Sequence, residues 1–235
     1  MPSFVNDMIC GARNMVQQGF RSLPVILATT VLILGMTQGN VNFLFFFVGM
    51  FLVAPTGTLI MNRIWELLVT YVPGFKSINP GFYIVKDASA AQCAVFTTDP
   101  STIQNMIGVP SYWMTMTAFF FTYIFVNGLK LYNMKASEKA PKHAVEARKS
   151  QAAMCMAIIV LVAVIVTIFR YGTSCETALG VLASWGLGGG LAYGWYSFMR
   201  ACGLGRLDDI FGIANRILPL QSYEDKNPTV CAPAS

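Results

Sequence analysis

The chain has 235 residues, 55% of them apolar and 11% charged, against about 25% charged in an ordinary soluble domain. That balance excludes a conventional water-soluble globule, whose outer helices need charged faces. The net charge of +5 carries little argument for nucleic acid, because membrane proteins collect Lys and Arg on their inner side for topological reasons.

Five tracts hold no charged side chain: residues 22–37, 41–62, 112–129, 151–169 and 177–199. Arg21, Arg63, Lys130, Lys149, Arg170, Glu176 and Arg200 stand just outside them. The pattern predicts an all-α membrane protein, a polytopic bundle of about five transmembrane helices with an extramembrane loop cap and a C-terminal amphipathic helix. With nothing charged at membrane depth, ion coupling lacks its usual groups.

In chain order, residues 1–21 form an N-terminal segment with weak amphipathic spacing in Val5, Met8, Ala12 and Met15. They lack the compact apolar core and cleavage pattern of a signal peptide. Residues 22–62 are too long for one span. The polar run Thr37-Gln38-Gly39-Asn40 divides them into a transmembrane hairpin. Its first tract is short for a crossing, so either it extends back through Phe20 with Arg21 snorkelling, or it is re-entrant. Its second carries Pro55, predicted to kink the helix, with Thr56 or Thr58 taking up the freed hydrogen bond.

Residues 63–111 form the one long connection. Turn signals recur in it, and short β-prone pieces such as 82–85 lie between them; the expectation is a compact extramembrane cap. The helix at 112–129 follows. The loop at 130–150 is basic, with Lys135, Lys139, Lys142, Arg148 and Lys149, and from Ala144 it reads as a helical run-in to the next span. Residues 151–199 form a second transmembrane hairpin. Its last helix carries two small-residue ridges, Gly180/Ser184/Gly188 and Gly186/Gly190/Gly194, which permit close packing against neighbours. The glycine run has no Lys-Ser/Thr partner, so packing is preferred over phosphate cradling. Residues 200–235 read as an amphipathic helix, with Leu207, Ile210, Phe211, Ala214, Ile217 and Leu218 on one face, and a loose tail.

Five crossings put the termini on opposite faces. The face with the 37–41 turn, the basic loop and the C-terminal region carries ten of the sixteen Lys and Arg residues, which assigns it inward. Cys10, Cys93 and Cys175 then share the outer face. A Cys93–Cys175 disulfide there would pin the cap to the last hairpin; two free thiols are the other arrangement. One histidine and scattered cysteines offer no metal site. His143 and the outer cysteines fall on opposite faces, so no catalytic residue, metal ligand or cofactor is assigned and the chain is read as no enzyme. A small-solute or ion channel or transporter without intramembrane charges is the alternative.

Several phrases add a resemblance. They are Asn79-Pro80-Gly81 followed by 89–98 around Cys93, Pro110-Ser111-Tyr112-Trp113, Arg148-Lys149-Ser150-Gln151, Cys175-Glu176-Thr177 and Asp208-Asp209-Ile210-Phe211-Gly212-Ile213. In these the chain resembles multi-pass inner-membrane virion proteins of large icosahedral (nucleocytoplasmic) DNA viruses. The resemblance implies a structural protein of a virion internal membrane, or of the host endoplasmic-reticulum-derived membrane that supplies it. One face would meet capsid proteins and the other the core, with thiol oxidation supplied by the virus. Expected partners are the lipid bilayer, capsid or other membrane proteins, and a second copy of the chain. The basic loop is also a candidate nucleic-acid contact, although topology and attraction to anionic lipid account for the same charges.

Overall fold

The computed structural model describes residues 2–38, 41–72, 74, 93, 110–134 and 142–202. Among them the chain folds as five helical rods without a sheet. Helix α1 spans Pro2–Gln38. The second rod is α2 (Val41–Val48), a π turn (Gly49–Val53) and α3 (Ala54–Tyr71) in unbroken succession. Helices α4 (Tyr112–Asn133), α5 (Lys142–Gly172) and α6 (Ala178–Ala201) complete the bundle.

Four rods contain stretches long and apolar enough to cross a membrane: Gln18–Thr37, Val41–Tyr71, Tyr112–Asn133 and Val145–Gly172. The α5 stretch has a mean hydropathy of 3.0, yet only 17% of its apolar window is buried inside the protein. Ile158, Leu161, Ile165 and Ile168 point outward. A water-facing helix cannot carry such a surface, so lipid is its solvent and the chain is a polytopic membrane protein. Helix α6, expected as a fifth span, is outside that set. Its 24 residues extend about 36 Å at the helical rise, so length is not what it lacks; its glycines dilute its hydropathy.

Side-chain contacts give the direction of each rod. At one end of the bundle Ser111 meets Ser184, and Phe20 stacks on Phe169 with ring centroids 4.2 Å apart. Toward the other end Tyr123 meets Tyr196, and Leu131 packs with Ala152. Thus α1, α4 and α6 run one way, and α5 runs against them. The second rod also opposes α6, with Phe45 beside Trp195 and Gly57 beside Leu191. The core sits around α4, where Met116, Phe119, Tyr123 and Ile124 join Ala28, Val31, Phe43, Phe46, Met50, Ala192 and Tyr196.

Several boundaries differ from the sequence reading. The segment 1–21 and the tract 22–37 are one helix from Pro2 to Gln38, and its stretch Gln18–Thr37 is long and apolar enough to cross a membrane. The second rod continues past Asn62 to Tyr71, with Arg63 and Glu66 paired at 2.9 Å on its exposed surface. Pro55 stands in the first turn of α3, where the missing N–H follows directly on the π turn, so the register change is taken up before the proline. Thr58 donates to the Ala54 carbonyl at 2.8 Å, its own i−4 acceptor. The helical run-in to the fourth span is present as the first turns of α5. The cap, its β-prone pieces, Lys135, Lys139 and the C-terminal amphipathic helix lie outside the described residues.

Candidate functional site

The chain's chemistry concentrates at the end of the bundle where α5 turns into α6. That turn is tight, with Ser174 at a φ of 55° and the Cys175 N–H donating back to the Arg170 carbonyl at 3.2 Å. Thr177 then caps α6 by accepting from the Gly180 N–H at 3.0 Å. The turn delivers Arg170, Cys175 and Glu176 to one place.

Cys175 is joined to Cys93 by a disulfide with a Cα–Cα distance of 5.3 Å. The Arg170 guanidinium donates to the Cys93 carbonyl at 3.1 Å and to Glu176 Oε1 at 3.3 Å. It also lies over the Trp113 ring, 4.4 Å from the centroid. Ser111 Oγ donates to Glu176 Oε1 at 2.5 Å and accepts from the Met114 N–H, so one hydroxyl both caps α4 and holds the carboxylate. Ser111 donates its own N–H to Ser184 Oγ at 3.0 Å. Both charges are buried, with side-chain exposures of 4% and 0%. Burial pushes the Glu176 carboxyl above its usual range; the charge of Arg170 and hydrogen bonds from Ser111 and Arg170 oppose that shift without cancelling it. Such a pair fixes geometry more than it adds net stability.

Tryptophans extend the same logic into the bundle. Pro24 has no N–H to offer the Phe20 carbonyl, and the Trp113 indole supplies one, at 3.1 Å from Phe20 O and 3.0 Å from Arg21 O. The Trp195 indole donates to the Phe45 carbonyl at 3.0 Å, one turn before the π segment. Its approach requires Gly49, where an added Cβ would lie 2.6 Å from the indole. Trp185 donates to Thr167 Oγ1 at 3.1 Å. Three helix pairs are therefore stapled by indole N–H groups.

The two glycine ridges part company. Gly180, Ser184 and Gly188 are buried, and a Cβ on Gly188 would meet the Thr115 carbonyl oxygen at 2.5 Å. Gly186, Gly190 and Gly194 have nothing within 4 Å of that position, so the second ridge faces away from the bundle, contrary to the expectation that both pack. The basic residues also separate. Lys142 and Lys149 are exposed, whereas Arg148 is fully buried and donates to the Met134 carbonyl at the C-terminal cap of α4.

The sequence reading missed Arg170, Glu176, Ser111 and the tryptophans. It placed the first two as interfacial charges bounding a turn. The available signal was that opposite charges six residues apart flank a cysteine in that turn. Among the described residues no group of three or more His, Cys, Asp or Glu is placed to hold a metal ion. Compared with known proteins, the chain matches no family model, no curated protein and no solved structure.

Proposed function

We infer that this protein is a structural membrane protein, a helical anchor that fastens an extramembrane segment to one end of its bundle and presents a basic edge at the other. The observation that carries this is the Arg170–Glu176–Ser111 clamp with the Cys93–Cys175 disulfide. These groups bond to one another and to backbone at the root of a long connection, which is what attachment needs. The chain is read as non-enzymatic. On the sequence resemblance, the membrane is the internal membrane of a large icosahedral DNA virus. The clamped face then meets the capsid, and the basic face with Lys142 and Lys149 meets the core. A disulfide on the clamped face agrees with an oxidising side there and with positive charge on the other.

Chemical cross-linking in intact particles or native membranes, gentle solubilisation and mass spectrometry of the captured complexes test the reading. Capsid components cross-linked to residues of the 63–111 connection are expected. Solute flux through proteoliposomes of the purified chain, with no stable protein partner, would replace anchoring by the channel reading.

A further inference from the structure

Two arginines lie buried toward opposite ends of α5, and the chain provides for them unequally. Arg170, at the clamp, meets the Glu176 carboxylate, the Cys93 carbonyl and the Trp113 ring. Arg148 is 0% exposed, and among the described residues its guanidinium donates only to the Met134 carbonyl, through Nη2. Its Nε and Nη1 have no hydrogen-bond partner. Depth adds to the imbalance. The crossing stretch of α5 is Val145–Gly172, so Arg148 stands about one turn inside it. A cation removed from water there is costly unless it is paired, and one neutral carbonyl does not replace a counter-ion.

The start of α5 supplies further donors at the same place. A long side chain on a helix leans back over the preceding turn, which sets the Arg148 guanidinium over residues 142–145. The first N–H groups of a helix have no intrahelical acceptor, and among the described residues those of Lys142 and His143 carry no capping bond. The positive end of the helix dipole and the exposed ammonium of Lys142 add to the potential there. Glu146 is exposed and two positions from Arg148, which puts it on another face of the helix. Lys149 is engaged over the Tyr132 ring, 5.9 Å from its centroid, and does not contribute.

Uncapped backbone donors, a buried guanidinium with unbonded N–H groups and a neighbouring ammonium are the complement of an oxyanion. The level indicates which one. Helix α5 enters the apolar layer at Val145, so its first turn lies among phospholipid headgroups, whose phosphates are the anions present there.

We propose that the N-terminal turn of α5 and Arg148 form a binding site for a phosphate oxyanion, with Lys142 as its outer cation. The site supplies the counter-ion that Arg148 lacks, and it does not depend on what the clamped face holds.

Intact protein in a non-ionic detergent is titrated with phosphatidylglycerol, phosphatidylcholine or inorganic phosphate, and retained adducts are read by native mass spectrometry. Phosphatidylglycerol should be retained about thirtyfold more strongly than phosphatidylcholine, a factor of about five for each of Arg148 and Lys142. R148Q and K142Q should each lower that ratio to about sixfold. K149Q removes an exposed cation outside the site and should leave the ratio within about twofold of wild type. Arg148→Lys, which keeps the charge but loses the planar fork, serves if R148Q fails to fold and should lower the ratio by about threefold. Equal retention of the two lipids by wild type overturns the site, as does an unchanged ratio in K142Q or in a folded Arg148 variant. An equal fall in K142Q and K149Q also overturns it, because diffuse attraction to a basic surface then explains the preference. Inorganic phosphate that displaces phosphatidylglycerol at equal concentration supports the oxyanion site and assigns it to free phosphate; no displacement assigns it to lipid.

Discussion

Substituting Gly188 by Ala tests the close approach of α6 to α4. An added Cβ would lie 2.5 Å from the Thr115 carbonyl oxygen, 2.9 Å from Ala118 Cβ and 3.1 Å from the Phe119 backbone nitrogen. Two of these three atoms are backbone in the most buried helix, so they cannot turn aside. Relief requires α6 to retreat by close to an ångström. A gap of about 0.5–1 Å forfeits a quarter to a half of each dispersion contact across it, and overpacking of this kind costs about 1–3 kcal/mol. Replacing glycine in a helix returns about 1 kcal/mol, so the net loss is roughly 0–2 kcal/mol. Gly190→Ala collects the same helical gain without the clash, because nothing lies within 4 Å of its added Cβ. It should stabilise the chain by about 0.5–1 kcal/mol. Unfolding in mixed micelles, followed by tryptophan fluorescence, measures both. Equal effects of the two substitutions, or a stabilising Gly188→Ala, would refute the packing argument. The monomer–oligomer balance of Gly190→Ala by size exclusion with light scattering reports whether the open ridge is used between copies.

The remaining predictions concern the clamp and staples. Cys93 and Cys175 should resist alkylation until reduced; Cys93→Ser should destabilise the protein by about 4.5 kcal/mol, the chain entropy of a loop closed over a separation of 82 residues. Free labelling of both thiols without reductant would contradict this. Arg170→Met and Glu176→Leu should each lose more than half of what the double substitution loses, since either alone strands its partner; additive losses would count against a coupled pair. Glu176's folded pKa is raised, so its contribution is complete below about pH 4.3, its unfolded value, and is lost as pH rises through the folded value. The stability of wild type relative to Glu176→Gln should therefore decline from acid to neutral pH, and a flat difference would refute the shift. Trp113→Phe should cost about 1–2 kcal/mol by orphaning the Phe20 carbonyl, and Pro24→Ala in that background should regain part of it by restoring the N–H. No regain would mean that the indole bond does not compensate for the proline.

Hydropathy located the apolar stretches of the helices but not their ends, because a span in lipid must be apolar along its length and satisfy its own backbone, whereas a helix continuing beyond the apolar layer need not be. The separation of α1, ending at Gln38, from α2, starting at Val41, and the close-packing ridge through Gly188 were legible for the same reason, each written in consecutive or four-spaced residues. Tertiary structure decided what local spacing does not encode. Gly188 and Gly190 look alike in sequence, and only the position of α4 makes one a close contact and leaves the other open. Pro24 and Trp113 are far apart in the chain, and their compensation exists only where α1 lies beside α4. Arg170 and Glu176 read as boundary charges because charge beside an apolar tract normally marks the interface. Their burial depends on Ser111, Trp113 and Cys93 arriving from other segments to replace water around them. The sequence determined that the chain enters a membrane as helices. The three-dimensional arrangement decided which polar groups hold those helices together, since a hydrogen bond in lipid is defined by the partner that replaces water.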